Sequence, residues 1–255
     1  MNRRHPLIGL LRSAILSACA ILPAMSGAAE PVRNIVLVHG AFTDGSIWSD
    51  VIARLQGKGF IVTAVQNPLI SLAADIDATV RVLRRQQGDT LIVGHSWAGA
   101  VVTAAANEPN VRGIAYVSAL VPDSNESVAA MLERQAVPMQ ALPPDRDGMI
   151  WLDEATFGRV MAGDVAPAKV RLLTATQQPI AAGAFGERIG HAAWRDKPSF
   201  YLMTQGDAAV PDALQRKMSA QARSAVTSLA SSHLSMVSKP QAVADFIARA
   251  AQALP

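Results

Sequence analysis

The sequence predicts an α/β domain: a mostly parallel, doubly wound sheet with a helical cap inserted after the strand that ends near Ala119. Three observations carry this expectation. Short β-branched runs alternate with helical patches and short connections up to Ala119, the pattern of βαβ units. Those runs are continuously apolar, as in strands buried on both faces. From about residue 121 to 197 the alternation then breaks, with Pro122, Pro138, Pro143, Pro144, Pro167 and Pro179 spread through it. That stretch is too long for a plain loop and holds several short helical patches, so it reads as a cap over the sheet's carboxyl edge.

The elements follow in order. Asn34–Val38 is the first strand and runs into His39-Gly40-Ala41-Phe42. Residues 46–56 place Ile47, Val51, Ile52 and Leu55 at helical spacing and stop at Gly57 and Gly59. Residues 60–65 form the second strand, closed by Asn67-Pro68, and residues 72–87 an amphipathic helix ending at Gly88. Residues 90–94 are the central strand, 97–107 a helix and 111–119 the next strand. Beyond the cap, Ser199–Thr204 resumes the sheet and ends in Gln205-Gly206-Asp207. A helix over 211–221 and a last strand over 224–231 lead to Ser232-His233-Leu234, and Lys239-Pro240 opens a final helix through Ala250.

Half of the 255 residues are hydrophobic and 17% charged, enough for a large core and too apolar for a disordered chain. Residues 1–29 hold Arg3, Arg4 and Arg12 but no acid, an apolar stretch from Ser13 to Met25, and the small run Ser26-Gly27-Ala28-Ala29. Positive, apolar and cleavable in that order describe a secretory signal, so residues 30–255 form the expected domain and the protein is expected in the periplasm or outside the cell. The apolar stretch is too short for a stable membrane span. Leu16-Ser17-Ala18-Cys19 also has the look of a lipobox, but only six apolar or small residues separate Arg12 from Cys19, and apolar sequence continues beyond it. Arg3-Arg4 suits a twin-arginine signal poorly, because His5-Pro6 follows. The 23 basic and 20 acidic residues balance once the three leader arginines are set aside, so no basic surface points to nucleic acid. Cys19 is the sole cysteine; its loss with the leader leaves no thiol for a disulfide, a metal or a nucleophile.

Gly94-His95-Ser96-Trp97-Ala98 carries the chemistry. A strand ends at a glycine, a serine takes the bend and small residues open a helix, which lifts Ser96 above the sheet's carboxyl edge. The residues two before and two after must be small because strand and helix pass close together. A serine hydroxyl needs a histidine to take its proton and a carboxylate to orient that histidine. Asp207 and His233 both follow late strands, on the same edge as Ser96. Asp123, after the strand ending near Ala119, competes for the acid role, but Gly206-Asp207 abuts a strand end directly. His39 and His95 flank glycines and read as turn residues, and His191, near Trp194, as structural or pocket-lining. Met131, Met139, Met149, Trp151 and Met161 are candidate lining for an apolar pocket.

On these residues, Gly94 to Gly99, Ser232-His233 with its downstream helix, and His39-Gly40-Ala41-Phe42, the chain resembles the α/β-hydrolase-fold proteins of the compact esterase type. The likeness spans nearly all of residues 32–254 and departs at Ala98, where the elbow usually has glycine. It implies a Ser96–His233–Asp207 triad, no metal or cofactor, and a small, largely apolar carboxylic ester as substrate. An oxyanion hole is then expected from the backbone N–H of Trp97 with that of Ala41 or Phe42. Hydroxynitrile lyases of this fold carry lysine beside the catalytic histidine, where this chain has Leu234, and haloalkane dehalogenases carry aspartate at the elbow. Cofactor-free haloperoxidase or C–C hydrolase chemistry would use the same triad, and a ligand-binding protein with vestigial chemistry would share the fold. For the leader, the expected outcome of expression in an exporting bacterial host is a processed chain whose N-terminal sequencing reads Ala29 or Glu30; an intact Met1 in the soluble fraction would contradict it.

Overall fold

The computed structural model describes Met1, residues 32–136 and residues 142–255. The leader, Cys19 and Met139 lie outside the described residues. Six parallel strands make the main sheet: β1 (Asn34–Val38), β2 (Ile61–Ala64), β3 (Thr90–His95), β4 (Val111–Val117) and, beyond the cap, a fifth and sixth. The cap holds a two-stranded antiparallel ribbon, β5 (Met149–Ile150) with β6 (Ile180–Ala181), so the late sheet strands are β7 (Ser199–Thr204) and β8 (Ala225–Leu229). The order across the sheet is β2-β1-β3-β4-β7-β8. The chain runs outward from β1 to β2, then returns to the other side of β1 and adds every later strand there. The reversal point therefore lies between β1 and β3, where open α/β sheets leave a crevice at the strands' carboxyl ends.

Burial explains the strand runs. Every residue of β1 and β3 is buried, and in β4 only Arg112 is exposed. The two edge strands are wetter, with Ile61 and Val226 exposed. On the faces lie α1 (Ser49–Gly57), which packs on the last helix, and α2 (Leu72–Leu83), which packs on α3 (Ala98–Ala105). The Ser71 hydroxyl accepts the Ala74 N–H and starts α2. That helix ends four residues before the expected Gln87, because Arg85 and Gln86 donate to carbonyls three residues back and tighten the chain into turns. α3 is buried on nearly all sides, as its apolar composition requires.

The cap contains α4 (Val128–Gln135), α5 (Glu154–Val160) and α6 (Pro167–Ala175). Ser127 and Asp153 cap the first two through their side chains, and Pro167 opens the third. The ribbon within it was not expected from sequence. Its strands are two residues long, too short to show any periodicity, and Asp145 sets up the turn leading into β5 by accepting the N–H groups of Asp147 and Met149. After β7 come α7 (Asp212–Gln221), β8, the short α8 (Ser235–Ser238) and α9 (Pro240–Gln252). No helix among the described residues is long and apolar enough to cross a membrane.

The crossing of β3 and α3 leaves little room. A Cβ on Gly94 would stand 2.6 Å from Val102 Cγ2 and 2.8 Å from the Ala98 carbonyl oxygen, and one on Gly99 would strike the Leu120 carbonyl. Gly94→Ala is therefore expected to lower the unfolding free energy by about 1–3 kcal/mol, the usual range for overpacking, measured as a shift in the urea midpoint. An unchanged midpoint would mean that strand and helix separate at no cost.

Candidate active site

Ser96 sits where this crossing bends, with φ of 55° in the left-handed region that side chains avoid. Backbone bonds hold it there: its N–H donates to the Val117 carbonyl, and its own carbonyl accepts from Gly99 and Leu120. From the β1 side, Gly40 comes so close that an added Cβ would lie 2.7 Å from Ser96 Cβ. Phe42, two residues on, is also left-handed, with φ of 62°. Among the described residues, the N–H groups of Ala41, Phe42 and Trp97 make no hydrogen bond.

His233 Nδ1–H donates to Asp207 Oδ2 at 2.7 Å, and both side chains are wholly buried. Asp207 is fixed in rotation by the Thr204 hydroxyl on Oδ2 and by the Ala209 and Val210 N–H groups on Oδ1, each at 2.8 Å. Among the described residues, His233 Nε2 has no hydrogen-bond partner. No bond joins it to Ser96 Oγ, but Ser96 and His233 line one cleft, and such bonds commonly form only when substrate is in place. The cleft measures about 550 Å³ with its open mouth included, and Phe42, Trp97, Leu142, Met161, Phe185 and Val210 give it apolar walls.

The other described histidines each have a hydrogen-bond partner. His95 Nε2–H donates to the His233 carbonyl at 3.1 Å, its ring 4.5 Å from that of His233. Burial, and then the neighbouring His233, hold its pKa well below the ordinary imidazole value, so it supports the loop as a neutral group. His39 is likewise lowered by burial; its Nδ1–H donates to the Gly40 carbonyl while Nε2 accepts the Asn67 N–H. His191 pairs with Asp196 at the surface. Asp123 is bound by Arg195, not by a histidine, and that contact lowers its pKa. Of the described apolar candidates in the cap, Met161 alone lines the cleft. Met131 is packed inside the cap, Met149 belongs to the ribbon, and Trp151 is 52% exposed.

Two carboxylates went unread in the sequence. Asp164, in the cap, accepts the hydroxyls of Ser231 and Ser232, while the Met161 carbonyl accepts the Leu234 N–H, so the cap grips the His233 loop. Asp75, on α2, binds the indole of Trp97. Neither stands in a local pattern that spacing could expose. No group of three or more His, Cys, Asp or Glu suited to a metal occurs among the described residues.

Residues 35–246 match the family model described as the alpha/beta hydrolase family. A carbendazim hydrolyzing esterase from Nocardioides sp. is 29% identical over 128 residues, 45% of this chain and 50% of that one, so the match spans half the relative's length. A pyrethroid hydrolase from Sphingobium wenxiniae is 25% identical over 252 residues, 87% of this chain and 89% of that one. Among solved structures, tomato methylketone synthase I complexed with 2-tridecanone superposes with a TM-score of 0.76 at 15% identity, over 88% of this chain and 99% of that one.

Proposed function

The chain belongs to the α/β hydrolase family, and from that premise we propose an exported serine hydrolase that cleaves small, largely apolar carboxylic esters. One observation carries the reading: the buried His233–Asp207 pair leaves Nε2 unpartnered among the described residues, on the same apolar cleft as Ser96. Ser96 Oγ attacks the ester carbonyl and its proton passes to His233 Nε2, with Asp207 steadying the imidazolium through Nδ1–H. The carbonyl oxygen becomes an oxyanion and meets the free N–H groups of Trp97 and of the Ala41–Phe42 turn, donors worth roughly 2.7–4 kcal/mol each. The carbon–oxygen bond to the alcohol then breaks, and His233 returns the proton to the leaving oxygen. Water attacks the acyl-serine with His233 again as base, releasing the acid and regenerating Ser96. The apolar walls suit apolar acyl or alcohol groups, as do the esterase and pyrethroid-hydrolase names of two relatives. Export rests on the leader's charge and apolar pattern.

Ser96→Ala is expected to lower kcat on p-nitrophenyl esters by about 10⁴ or more and to abolish labelling by a fluorophosphonate probe. Rapid turnover by that variant, or an unlabelled wild type that binds ester tightly, would refute the assignment. Asp207→Asn is expected to cost on the order of 10⁴ in kcat by releasing the imidazole tautomer. Asp123→Asn, at a carboxylate that bonds Arg195 and the Ser124 N–H but no histidine, is expected to leave kcat within about twofold, inside the spread of surface substitutions.

A further inference from the structure

Asp75 is wholly buried on α2, and no arginine or lysine among the described residues bonds either of its oxygens. Oδ1 accepts the Leu69 N–H and Oδ2 accepts the indole Nε1–H of Trp97, each at 2.8 Å. Burial pushes its pKa up to about 6; the two hydrogen bonds pull it back in part, and Glu187 adds to the rise. The native carboxyl therefore holds its proton more tightly than the unfolded one does. Its contribution to stability falls as pH rises from about 4 to about 6, so above that window the ionised group weighs against folding.

What the carboxylate holds together is the wall of the cleft. Trp97 follows Ser96, and its ring lies 4.8 Å from that of Phe185; both residues line the cleft. Leu69 is held in the left-handed region with φ of 57°, and its carbonyl accepts the Ala181 N–H of the cap ribbon. Gln178 adds bonds from the cap to the carbonyls of Asn67 and Pro68. One side chain thus joins the residue after Ser96, the loop before α2, and the returning strand of the cap.

We propose that Asp75 is a positioning residue for ester hydrolysis, fixing the Trp97–Phe185 wall against which a bulky group of the substrate lies. The inference rests on the hydrolase reading above. Asp75→Asn tests it, because an amide has one acceptor oxygen for two buried N–H donors and must turn its NH₂ toward one of them. The expected result is a fall of about tenfold in kcat/KM for p-nitrophenyl benzoate, the equivalent of one buried hydrogen bond, and of less than about threefold for p-nitrophenyl acetate. In a Trp97→Phe background the indole donor is gone, and the same substitution should change benzoate turnover by less than about twofold. Equal losses on both esters, or the full benzoate loss persisting without the indole, would overturn the proposal and leave Asp75 a purely structural group. If Asp75→Asn does not fold, Trp97→Phe alone must reproduce the benzoate-selective loss. Wild-type turnover and fluorophosphonate labelling separate the two levels: their absence sinks the hydrolase reading together with this one, whereas their presence with additive variants sinks this one alone.

Discussion

A chain reversal tighter than ordinary backbone allows governs the molecule. Ser96 stays at positive φ because β3 and α3 cross within the reach of single methyl groups, and because the end of β4 binds its backbone on both sides. Strain of that kind costs about 1–3 kcal/mol per residue and persists only where surrounding packing over-determines it. The packing here is the fully buried centre of the sheet, so the least adjustable part of the fold holds the strained serine at the edge of the cleft. The same crossing raises the hydroxyl above the strand ends and opens the first turn of α3 toward the cleft.

Around that point the fold arranges groups by what they lack. Among the described residues, His233 has its carboxylate partner but no partner for Nε2, and the Ala41, Phe42 and Trp97 N–H groups make no bonds. Unsatisfied polar groups in an apolar cleft are costly, and in the proposed reaction the Ser96 proton would meet the first need and the developing oxyanion of the ester carbonyl the second. His95 and His39, by contrast, are neutral braces with their bonds directed to backbone. The two histidine classes differ in surroundings, not in residue type.

Much of this was legible in sequence because it is periodic or punctuated. The continuous apolar runs identified the sheet strands, and Gly94 marked a close approach of strand and helix that the structure contains. Asp207 was singled out over Asp123 by its place against a strand end, and it is the carboxylate that touches His233. The cap was legible only in outline. Its ribbon is too short for a period, and its methionines divide among core, ribbon and cleft in ways that spacing does not encode. Asp75 and Asp164 were invisible for a similar reason: each acts on a segment distant in sequence, and a lone aspartate on a helix or loop looks like solvated charge.

The hold of the cap on the histidine loop bears on how such a protein can diversify. Asp164 and Met161 brace Ser231, Ser232 and Leu234, so the segment that shapes the cleft also steadies the His233 loop. The insertion is therefore not an interchangeable module. A chimera that borrowed another cap without an acceptor carboxylate and carbonyl at these two places would inherit a new specificity together with a loosened imidazole, whereas drift in α4 and α6 leaves those braces untouched.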